Sequence, residues 1–112
     1  MSWLTAALLA CHTADPATVA LVAESAVQAG VDPALALAVG VQESGLRGRN
    51  PLGVRACYPG RNPQLNKAGC TALGIGILRR VRGNLSAYNN GPKRLAYAAK
   101  VAAIAAKIRR GK

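Results

Sequence analysis

Apolar residues fall in blocks separated by short polar punctuation, and within the blocks their spacing is helical. Residues 3–11, WLTAALLAC, form the first block. It resembles a short signal core ending in LLAC, but a signal peptide needs a basic leading region and none precedes Trp3. We read it as the first helix. Asp15-Pro16 then reads as an N-cap followed by the first helical residue, and Gly30 as the stop. The same grammar repeats with Asp32-Pro33 and Gly45. Two helices are predicted, near 16–29 and 33–44. The second, PALALAVGVQES, is apolar on nearly every face up to Gln42, the mark of a buried helix.

The second half is more broken. Residues 45–66 are rich in Gly, Pro, Asn and Arg and predict a long loop of the kind that carries function. Residues 67–82 regain helical character, although Gly74 and Gly76 weaken it. SAYNNGPKR reads as a polar turn, with Pro92 opening a last helix to about Arg109. Tyr97, Val101, Ile104 and Ile108 form its apolar stripe, flanked by Lys93, Lys100 and Lys107. Strand alternation is nearly absent. The expectation is one all-α domain over residues 1–112, with five to six helices around a long central loop.

Composition adds constraints. Phe is absent and Ala, Leu and Val must build the core, which suits closely packed helices. No apolar run reaches the roughly 20 residues that span a bilayer. All four acids lie within residues 1–46, and all fifteen Lys and Arg within 47–112, for a net charge of +11. That surplus favours a polyanionic partner: nucleic acid, anionic lipid or bacterial cell wall. Cys57 and Cys70 bracket a Pro/Gly/Asn-rich stretch that a disulfide could close in an oxidising compartment. Cys11, in an apolar stretch, reads as a buried thiol. Metal-ligand spacing is missing, since there is no CxxC and His12 is the only histidine, so neither metal nor cofactor is expected.

Three of the four acids have ordinary explanations. Asp15 and Asp32 are caps, and Glu24 belongs to a solvated helix face. Glu43 has no such role, for it stands in the last turn of a buried helix, where the dipole disfavours an anion. Burial and the helix terminus raise a carboxyl pKa, whereas Arg47 and Arg49 would lower it. If burial wins, Glu43 is a general acid; otherwise it is a structural partner of one of the bases.

VDPALALAVGVQESG followed by LSAYNNGP resembles the lytic transglycosylase family of the soluble, lysozyme-like type. In that family a buried helix ends in Glu-Ser, here Glu43-Ser44. An Ala-Tyr-Asn-x-Gly-Pro motif, here Ala87 to Pro92, faces it across a cleft. The resemblance covers roughly residues 31–105 and implies a lysozyme-like helical domain that cleaves peptidoglycan glycan strands. It implies Glu43 as the catalytic acid and base, with no second carboxylate. Tyr88 and Asn89 would contact the sugar and Ser44 would orient Glu43. The chain departs from the family in its middle third. The usual Gly-Leu-Met-Gln-like segment has only NPLGV (50–54) and ALGIGI (72–77) as counterparts, neither with Gln. Two-carboxylate glycosidases need a second Asp or Glu, and no acid follows Glu43.

The resemblance places the action at the periplasmic or extracellular wall; with no convincing signal, no second domain and a high basic charge, the sequence reads as a phage lysis or virion protein first and a bacterial wall-remodelling enzyme second. Three rivals stand beside this reading. One is a muramidase-type hydrolase of the same bond. Another is a nucleic-acid-binding helical module, disfavoured because no helix-turn-helix or zinc pattern emerges. The third is membrane activity of the basic segment 92–110, which could coexist with wall contact through the basic half.

Overall fold

The helix punctuation is realised in the computed structural model, which describes residues 2–112. Helix α1 spans Trp3–Ala10, α2 Pro16–Ala29 and α3 Pro33–Ser44. Asp15 caps α2 by accepting from the Thr18 amide at 3.1 Å, and Asp32 caps α3 by accepting from the Ala34 amide at 3.0 Å. Gly30 and Gly45 end the two helices in the left-handed conformation. Both aspartates are also ion-paired across the fold, Asp15 with Lys67 at 3.5 Å and Asp32 with Arg109. Glu24 lies exposed on α2, as the sequence suggests.

Helix α4 runs Lys67–Arg80, α5 Leu85–Tyr88 and α6 Arg94–Gly111, with one 3-10 turn at Arg55–Cys57 inside the long loop. There is no strand among the described residues, so the protein is a small all-α domain. The central helix is α3, whose Ala34, Ala36, Leu37, Ala38 and Val39 are fully buried. It packs between α2 and α6. Helix α1 crosses α6, α4 leans on α2, and α5 on α6. Small alanines at the crossings let the backbones approach, and Leu37, Leu78, Val101 and Ile108 fill what remains.

Four sequence readings need correction. SAYNNGPKR is more than a turn: Asn84 accepts from the Ser86 and Ala87 amides and nucleates α5, one turn that buries Leu85. A single turn is too short to leave a periodic signal. Helix α6 starts at Arg94, not Pro92. The Arg94 amide donates to the Gly91 carbonyl at 3.1 Å, which puts Pro92 second in a tight turn, where its fixed φ also fits. Cys11 is half-exposed, its thiol 3.7 Å from the Gly45 carbonyl. Gly74 does not weaken α4. It is buried, and a Cβ there would lie 2.7 Å from Leu52 Cβ, so the glycine is what lets the long loop sink against the helix.

The disulfide forms between Cys57 and Cys70, 13 residues apart. It ties the 3-10 turn to α4. Arg49 reinforces the same loop by donating to the Leu65 carbonyl at 2.7 Å and the Cys57 carbonyl at 2.9 Å. Replacing both cysteines by Ala is expected to lower the unfolding free energy by about 3 kcal/mol, as the closure of a loop of this length implies. Denaturant titration checks it, and reductant should cause the same loss in the native protein alone.

Candidate active site

Glu43 sits one residue before the end of α3, where the helix emerges from the core and the chain turns at Gly45. Its side chain enters a cleft of about 280 Å³. The near wall is Glu43 with Gly53, and the far wall is Tyr88, Asn89 and Asn90. Arg55 and Tyr58, on and after the 3-10 turn, complete the lining. The two motifs that the sequence set apart, Glu43 and Tyr88-Asn89, therefore share one cavity. Tyr88 is half-buried, and its hydroxyl donates to the Leu52 carbonyl at 2.5 Å, which pins the loop at 52–53 against α5. Asn89 accepts from the Gly91 amide at 3.3 Å, which shapes the turn after α5.

The segment beside Glu43 is 50–54, the first of the two counterparts weighed in the sequence. Asn50 holds it by donating to the Val54 carbonyl and accepting from the Val54 amide, both at 2.9 Å. Gly53 has φ +65°, and a Cβ built there would lie 2.3 Å from Glu43 Oε1. A side chain at 53 would occupy the space of the carboxyl. The second counterpart, 72–77, lies within α4 and does not line the cleft.

Ser44 is not brought to the cleft. Its hydroxyl lies 2.8 Å from the Pro51 carbonyl and 3.2 Å from that of Gly40, and accepts from the Arg47 amide at 3.3 Å. It closes the loop back onto α3. The side chain that orients Glu43 is Tyr97, whose hydroxyl donates to Oε2 at 2.9 Å. Tyr97 stands in the first turn of α6 and is buried. Its place in an apolar stripe concealed the contact. The available signal was the hydroxyl itself, which needs a partner once the ring is buried.

In the competition over the Glu43 pKa, burial outweighs the arginines. Arg49 is engaged with loop carbonyls, and the ion pairs among the described residues are Lys67–Asp15 and Arg109–Asp32. Among the described residues no base is ion-paired with Glu43. Desolvation raises its pKa above the ordinary carboxylate value, and the Tyr97 hydrogen bond only partly opposes this. Burial and the nearby Glu43 charge push the Tyr88 and Tyr97 phenols up, so both remain donors. A carboxyl whose pKa is raised beside an open cleft is suited to deliver a proton to a bound leaving group.

Tyr97→Phe removes the contact that favours the charged form. Desolvation is then unopposed, Glu43 keeps its proton to higher pH, and the alkaline limb of a Glu43-dependent activity should move upward. About tenfold in rate should be lost with the orientation, a smaller cost than that of losing the proton donor itself. A pH profile of kcat/KM with a parallel melting curve reads both, and an alkaline limb that stays in place or moves down would count against Tyr97 as the tuning residue.

Among the described residues, no three His, Cys, Asp or Glu side chains gather into a metal-ligand set. No family model matches the chain, and no curated protein or solved structure matches it.

Proposed function

We propose that the protein is a peptidoglycan lytic transglycosylase that cuts the bond between N-acetylmuramic acid and N-acetylglucosamine, with Glu43 as acid and then base. The observation that carries this reading is a half-buried Glu43 without an ion pair among the described residues, oriented by Tyr97 and sharing a cleft with Tyr88 and Asn89. The lysozyme-like motif pair in the sequence supplies the reaction type, and the geometry is compatible with it.

In the first step the Glu43 proton passes to the glycosidic oxygen, and the bond to muramoyl C1 breaks. The substrate's own N-acetyl oxygen stabilises the positive C1, a role that an enzyme carboxylate fills in retaining two-carboxylate glycosidases. In the second step the Glu43 carboxylate takes the proton of the muramoyl 6-hydroxyl, whose oxygen closes onto C1. The product is a 1,6-anhydro sugar, and Glu43 regains its proton. Tyr58, 45% exposed in the cleft, offers an aromatic face to a sugar ring, and Asn89 and Asn90 offer amides to its hydroxyls. The basic residues of 47–112 draw the protein to the anionic wall.

Incubation of the purified protein with purified sacculi tests the reading. Release of soluble muropeptides by the wild type is the expected result. A salt-dependent shift of DNA with no such release would favour a nucleic-acid-binding module instead.

A further inference from the structure

Among the described residues, Arg55 is the one base lining the Glu43 cleft. It is exposed, and the ion pairs among the described residues involve other side chains. Its backbone is fixed: the Cys57 amide donates to the Val54 carbonyl at 2.9 Å, the Tyr58 amide to the Arg55 carbonyl at 3.2 Å, and the disulfide anchors the turn to α4. Arg55 follows Gly53 by two residues, so its Cα lies within about 7 Å of the Cα that abuts the Glu43 carboxyl. The remaining lining consists of tyrosines, asparagines and a glycine. The cleft thus presents one cation carried on an anchored turn, a fork that suits a carboxylate, two residues along the chain from the glycine that abuts the proton donor.

On a glycan strand of alternating N-acetylglucosamine and N-acetylmuramic acid, the sugar-borne ionisable group is the lactyl carboxyl of the muramic acid. In peptide-bearing strands that carboxyl is consumed as an amide, and the nearest charge lies on the second residue of the stem, well beyond the sugar. We propose that Arg55 pairs with the free lactyl carboxylate of the muramic acid whose bond is cut, so that strands stripped of their stem peptides are the preferred substrate. This rests on the reading of the cleft as a peptidoglycan-cleaving site. The reaction that supplies such strands is hydrolysis of the lactyl amide, and the protein acts after an amidase.

Two synthetic tetrasaccharides of the repeat test this, one with free lactyl acids and one with lactyl N-methylamides, compared by kcat/KM. The wild type should favour the acid by about ten- to hundredfold, the range for a hydrogen bond to a charged group. Arg55→Met should cleave both at the rate of the amide, and Arg55→Lys should keep part of the preference. Equal rates on both substrates with the wild type, or an equal loss on both with Arg55→Met, would overturn the Arg55 proposal while leaving the Glu43 reading intact. Cleavage of neither by the wild type, or undiminished cleavage by Glu43→Gln, would overturn both.

Discussion

Glu43→Gln is expected to lower kcat/KM on peptidoglycan by about ten-thousandfold, the upper end for a positioned proton donor. In the proposed reaction the same carboxyl would give the proton to the leaving group and take it from the 6-hydroxyl, so one substitution would remove both halves. Each of the other acids is committed elsewhere: Asp15 and Asp32 cap helices and are ion-paired, and Glu24 is exposed on α2. The fold should survive, because the amide oxygen of Gln can still accept from Tyr97. Stability should even favour the variant. The Glu43 pKa is raised in the folded state, so the native protein binds this proton more tightly than the unfolded chain. That contribution is fully present below the ordinary carboxyl pKa and is lost as pH rises through the raised value. At pH 7 Glu43→Gln should therefore melt no lower than wild type, and the difference should vanish in acid. Melting curves across pH, run beside the activity assay, separate loss of chemistry from loss of fold.

Gly53→Ala is expected to lose about a hundredfold in turnover, the scale of a misplacement of roughly 1 Å in a reacting group. A Cβ at 53 would lie 2.3 Å from Oε1, 2.6 Å from Cδ and 2.9 Å from Cγ of Glu43. The carboxyl must swing away, and doing so breaks its contact with Tyr97. The left-handed backbone at 53 adds strain of about 1–3 kcal/mol. Gly48→Ala separates the two effects, since Gly48 has φ +81° with nothing within 4 Å of its Cβ position. It should lose comparable stability and keep its activity. If Gly53→Ala retains full turnover, the close approach of 53 to Glu43 has no part in the chemistry.

Local rules were enough to read the first half of the fold. Asp-Pro starts and Gly stops bounded α2 and α3, because caps act within a few residues of the chain. The Cys57–Cys70 bridge was legible from spacing and loop composition. The prominence of Glu43 came from elimination, as the acid without an ordinary role. What escaped depends on contacts distant in sequence. Tyr97 meets Glu43 across 54 residues, and nothing near either position encodes the meeting. Gly53 lies in a glycine-rich loop, and only the fold shows that its missing Cβ is the space of the carboxyl. Ser44 was misjudged for the same reason: its partner is the Pro51 carbonyl, supplied by the return of the loop. Helix α5 is a single turn made by the Asn84 cap, below the length at which periodicity speaks.

Mass spectrometry of the fragments released from purified peptidoglycan tests the central claim most directly, with wild type and Glu43→Gln digested side by side. The account predicts 1,6-anhydromuramoyl products from the wild type and none from the variant. Reducing-end muramoyl products would show that water, not the 6-hydroxyl, attacks C1. Equal digestion by the two proteins would contradict the role of Glu43 altogether.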